Sequence, residues 1–171
     1  MKRPLPGDYS PYYQNYVDTV VEDNALKVLQ EQMQTITEFF ISINEEKGGL
    51  FYAKGKWTVK EVIGHIIDTE RVLAYRALCI ARGEKQPLPG FDQNAYVLKA
   101  KSNNRKIIEL ADEFKKVRES NIVMFNSFDE DSFNNRGVVN GKEITVNALL
   151  FIIIGHCAHH INVLNEKYLI W

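Results

Sequence analysis

ALLFIIIGHCAHHINVL, residues 148–164, decides the fold. Its first eight residues alone would suit a buried strand. The segment, however, continues from about Thr145 to near Leu169 without a proline, and roughly 25 residues is the length of a helix rather than a strand. Apolar on every side in its first half, such a helix is either the most buried of its fold or also faces a second subunit. Its second half packs three of the chain's four histidines into five positions.

Working outward, all five prolines fall in two places, Pro4, Pro6 and Pro11 near the start and Pro87 and Pro89 in one connection. Four long stretches are left free of the residue that most disrupts helices. The first, Asp23 to Asn44, carries Leu26, Leu29, Met33, Ile36, Phe40 and Ile43 at alternating spacings of three and four, the seam of a bundle helix. The second opens at TVKE, where Thr58 and Glu61 form a capping box, and runs to about Arg82. The third covers Ser102 to Phe128, with Asn121 interrupting an otherwise apolar stripe. Before the fourth, Asn140-Gly141 lies between β-favouring residues, a strong hairpin signal. The connection from Gly83 to Ala100 far exceeds the roughly 2 to 8 residues that usually join antiparallel helices. It can cross the bundle, making helices two and three parallel, and cover a site at one end. The expected fold is all-α: a single domain over residues 1–171, a four-helix bundle with a long crossover between helices 2 and 3 and a small β-hairpin between helices 3 and 4.

Composition narrows the function. Twenty-one basic and 22 acidic residues give a net charge of −1, and no basic run supplies the potential that nucleic acid requires. The N-terminal residues lack the apolar core of a signal peptide, and no stretch approaches the roughly 20 apolar residues that span a bilayer. A cytoplasmic protein with no membrane or nucleic-acid partner is expected. Cys79 and Cys157, each inside a patterned segment, read as small core side chains rather than a disulfide.

His156 and His160 are four residues apart, so on a helix they project from one face, one turn above the other. His65 shares a face of the second helix with Val62, Thr69 and Val72, a stripe that points into the bundle. Two helices can thus offer three imidazoles. Three neutral ligands leave a divalent ion its full charge and open positions, the arrangement of catalytic rather than structural sites. Such an ion can activate water, polarise a carbonyl or lower the pKa of a bound thiol. A histidine on an apolar face is also commonly a satisfied core residue, so spacing alone leaves metal binding and core packing both open. There is no HExxH and no Glu-x-x-His pair, and Cys157, beside His156, points away from any shared ion.

WTVKEVIGHIIDTERVLAYRALCIARGEKQPLPGFD, residues 57–92, followed by GHCAHHINVL, residues 155–164, resembles the DinB/YfiT-like superfamily of four-helix metal proteins, in its DinB-like branch. The resemblance implies a bundle with a long crossover, usually homodimeric, holding a divalent metal, zinc or nickel, on His65, His156 and His160. A homodimer also follows from the apolar fourth helix and from an aromatic N-terminal segment able to pack across a neighbour. Members of this superfamily include thiol-dependent transferases and isomerases that use low-molecular-weight thiols, and others described as metal-dependent hydrolases. The implied function is metal-dependent thiol S-transfer to a small-molecule electrophile, with a thiol as co-substrate. The alternatives are a metal-dependent hydrolase, or a non-enzymatic dimeric module whose metal is structural or absent. Asp92, Tyr96 and His159 are the candidates to line the pocket as a general base. Asp68 can orient a ligand or pair with Arg71.

Overall fold

The computed structural model describes residues 2–169. In chain order its elements are α1 (Gln14–Thr19), α2 (Ala25–Ser42), α3 (Val59–Ala81), α4 (Gln93–Ala100), α5 (Ile107–Asn126), β1 (Arg136–Val139), β2 (Lys142–Thr145) and α6 (Val146–Val163), which ends in a π turn, Leu164–Tyr168. The four long helices α2, α3, α5 and α6 are the four expected, and they form a bundle. α2 packs against α5 and α6, and so does α3, leaving α2 and α3 diagonally opposed.

Local chemistry sets the ends. Thr58 and Glu61 form the capping box of α3, with Thr58 N donating to Glu61 Oε2 at 2.8 Å. Thr145 caps α6 by accepting from Ala148 N at 3.1 Å. β1 and β2 pair antiparallel around Asn140-Gly141, whose φ angles of 49° and 71° are the left-handed values that a tight hairpin turn demands.

Three boundaries differ from the sequence reading. α1 was not expected; its turn is short, yet Val17 and Val20 bury against the bundle. The long connection is not all loop, because the Asp92 carboxylate accepts from Asn94 N and Ala95 N and so starts α4. α5 begins at Ile107 rather than Ser102, where Lys106 N donates to Glu109 Oε2 and Ile107 N to Glu45 Oε2. Ser102–Asn104 form a separate 3-10 turn. The crossover does make α3 and α5 parallel. Their contacts climb both elements in the same direction, from Thr58 with Asn103 at the start to Arg71 with Glu113 and Glu70 with Arg118 and Asn121 further on.

That last contact explains the polar break in the stripe. Arg118 and Glu70 are fully buried and joined by two hydrogen bonds of 2.7 Å, while Asn121 Nδ2 donates to Glu70 Oε1 at 3.1 Å. Gln32 Oε1 accepts from Arg118 Nη1, tying α2 to the same network.

α6 is the innermost helix. With its π turn it forms a segment, Val146–Tyr168, long and apolar enough by length and composition to cross a membrane, which corrects the expectation that no stretch approaches that length; 61% of its most apolar 18-residue window is buried within the bundle. The N-terminal segment runs along this same helix. It folds back on its own α6, where a Cβ at Gly155 would collide with the carbonyl of Tyr16. Only glycine permits that approach, and the apolar flank of α6 is covered within one chain.

Candidate metal centre

Helix geometry brings the three histidines together. α3 and α6 pack side by side, His65 faces α6, and His156 and His160 lie one turn apart on the face toward α3. One ring nitrogen from each falls within 4.8 Å of the other two. The Nε2 atoms of His65 and His156 are 3.0 Å apart. Two nitrogens about 2.1 Å from one tetrahedral ion stand about 3.4 Å apart, so this pair would open by only a few tenths of an ångström to share a divalent cation, and the third imidazole lies within reach.

Its electrostatics agree. Burial holds the His65 imidazole down to about 4. Burial, then the neighbouring His65 and His159 rings, hold His160 down to about 3. His156 lies well below the usual imidazole range for the same reasons, burial first. All three are therefore neutral at pH 7, the form in which imidazole binds metal. Thr69 Oγ1 lies 3.4 Å from His65 Nδ1, and in the tautomer that frees Nε2 the ring donates to this hydroxyl. Trp57 covers His65 with ring centroids 4.7 Å apart, and the edge of Tyr16 meets His156 at 5.4 Å.

A pocket of about 430 Å³ opens beside His156, walled by α3, the N-terminal tyrosines, the start of α4 and the hairpin. Residues 28–164 match the family model of the DinB superfamily. The chain belongs to the DinB superfamily. A curated protein of Oceanobacillus iheyensis, provisionally named a metal-dependent hydrolase, is 24% identical over 78 residues, 46% of this chain and 45% of that protein's length. Among solved structures, YfiT from Bacillus subtilis, described as "a probable metal-dependent hydrolase with an unusual four-helix bundle topology", shares 16% identity. It aligns with a TM-score of 0.75 over 97% of this chain and 91% of its own. The mycothiol-dependent maleylpyruvate isomerase shares 14% identity with a TM-score of 0.67 over 86% of this chain and 62% of that one. At these identities the likeness establishes the fold.

In this DinB-superfamily chain the other candidates divide. Asp92 lines the pocket, but its carboxylate is engaged in capping α4. Tyr96 is not among the lining residues and stands outside it, its ring on Phe91 at 5.0 Å. His159 is exposed and rests against Tyr16 and His160. Asp68 pairs with Arg71 at 3.8 Å, the second of its two expected roles. Both cysteines are free, and Cys157, pushed up to about 12 by burial, faces the Arg118 and Glu70 network rather than the histidines. Sequence reasoning missed Thr69 as the group beside His65 Nδ1, although the four-residue spacing held the signal. It also missed Tyr16 and Arg76, which long-range packing brings to the pocket.

Proposed function

We propose that His65, His156 and His160 hold a divalent ion, zinc or nickel, and that the protein uses it to transfer a small thiol to an electrophile. The carrying observation is three neutral imidazoles converging beside a pocket whose one acidic lining residue is committed to a helix cap. When bound, the ion would supply positive charge that favours the ionised form of a ligand thiol or water. A thiol near pKa 8.5 needs only a small shift to ionise at neutral pH, whereas water must fall from 15.7 to about 7. A site without a free carboxylate therefore suits the thiol better. The chain's own contributions are a neutral ligand set, a hydroxyl that orients His65, and aromatic walls at Trp57 and Tyr16 that limit water. A cytoplasmic setting, in which small thiols stay reduced, belongs to this proposal.

Hydrolysis is the second reading, favoured by the description of YfiT and the name of the Oceanobacillus relative. The test begins with elemental analysis of protein purified without a nickel column. Stoichiometric zinc or nickel, followed by metal-dependent consumption of a small thiol with chlorodinitrobenzene or monochlorobimane, is the expected result. Cleavage of ester or amide substrates without thiol consumption, abolished in His65→Ala, would replace transfer by hydrolysis. A properly metallated protein inert in both assays would point to a non-enzymatic module.

A further inference from the structure

The pocket's far end holds a charge that the metal chemistry does not use. Arg76 lies on the stripe of α3 that carries His65 and Thr69, lines the pocket and is only 4% exposed. Its guanidinium donates to the Pro89 carbonyl at 2.7 Å and lies over the Phe91 ring at 5.6 Å. Among the described residues no carboxylate comes within ion-pair distance of it. The contrast with Arg118, the arginine wholly enclosed in the bundle, is plain: that charge meets Glu70 in two hydrogen bonds. A buried guanidinium stays protonated and is costly without a counter-charge.

Its surroundings add to the imbalance. Lys142 of β2 lines the same pocket and makes no ion pair among the described residues. The acidic Asp92 is already held by two backbone amides. With neutral histidines at one end, the pocket carries net positive charge at the other. Eleven residues separate His65 from Arg76, which is about 16 Å along the helix axis, and the volume suits a small molecule.

We propose that this pocket takes an elongated, carboxylate-bearing small molecule, its carboxylate on Arg76 and its reacting end toward the histidines. Arg76 is then a specificity-determining residue, with its planar fork matched to a carboxylate. The orientation of the ligand rests on the functional reading above; the anion site itself does not.

The test is calorimetry on metal-free protein, so that no carboxylate can ligate an ion, with octanoate and its neutral isostere octanamide as probes. Octanoate should bind about 10-fold more tightly than octanamide, the size of one charge-assisted contact. In Arg76→Met, which keeps the apolar stem, that preference should vanish, and in Lys142→Met it should shrink. Equal binding of both probes to the unaltered protein, or an undiminished preference in Arg76→Met, would overturn the proposal. If Arg76→Met fails to fold, Arg76→Lys serves: a lost bidentate contact should lower the preference at least about threefold, and an unchanged preference would again overturn it. Absence of bound metal with the octanoate preference intact would defeat the functional reading alone.

Discussion

The Nε2 atoms of His65 and His156 meet at 3.0 Å across the α3–α6 interface. Two cationic rings cannot share that separation, so the folded protein resists protonation there. An unperturbed imidazole would compete with protons from about pH 6.5. With His65 held to about 4 and His160 to about 3, that competition begins well lower in the folded protein. Acid sensitivity is displaced onto the fold: between 6.5 and about 4 the unfolded chain binds protons that the folded chain refuses. Stability of the metal-free protein should be full above pH 6.5 and fall as pH drops toward 4, by on the order of a few kcal/mol. Urea unfolding at pH 7.5, 6 and 5 measures it, and a midpoint independent of pH would contradict the buried, neutral assignment.

His160→Ala should weaken zinc binding by more than about 100-fold, beyond what loss of an outer contact costs, while leaving helicity intact. His159→Ala, at an exposed ring, should change it little. Competition against a chromophoric chelator separates the two, and equal losses would reject the ligand assignment. Thr69→Val should weaken binding by about 10-fold through His65 alone.

Gly155→Ala forces a methyl group onto the carbonyl of Tyr16. A loss of about 1–3 kcal/mol is expected, as for overpacking elsewhere, with α1 lifted from α6. Proteolysis near residues 14–19 should accelerate in the same variant, and unchanged cleavage would argue that the helix adjusts instead.

Glu70→Leu leaves Arg118 buried and uncompensated and should cost about 3–5 kcal/mol, whereas Glu70→Leu with Arg118→Met should recover most of it. Chemical denaturation of the single and double variants provides the comparison.

Cys157, with its thiol pushed up to about 12 by burial, should stay unmodified by a thiol-reactive disulfide reagent in the native state and react at once in denaturant. Rapid native labelling at Cys157, located by mass spectrometry, would show that α6 opens readily.

The bundle was legible because its signals are local and periodic: the seam of α2, the capping box at Thr58 and the Asn140-Gly141 turn each act within a few residues. His65, His156 and His160 were legible for the same reason, since each falls on a stripe whose direction follows from helix period alone. What escaped depends on contacts distant in sequence. Arg118 reads as a surface charge until Glu70 is seen opposite it, and α1 reads as irregular chain until Gly155 supplies its landing place. Asp92 was ambiguous because a pocket base and a helix cap use the same residue, and only the backbone amides of Asn94 and Ala95 decide between them. The crossover hid α4, whose eight residues, with only Val97 buried, are too few to set a helical period.

His65 and His156 lie 91 residues apart in the chain, so the candidate centre is assembled late. During synthesis a nascent polypeptide exposes one imidazole of the set, too few to capture an ion, until the last long helix has emerged from the ribosome and docked. Capture of an ion by these three residues would thereby wait until α6 has docked on α3. An ion held there would act as a clasp on a very long loop, and by mass action its departure would lower the stability of the α3–α6 interface.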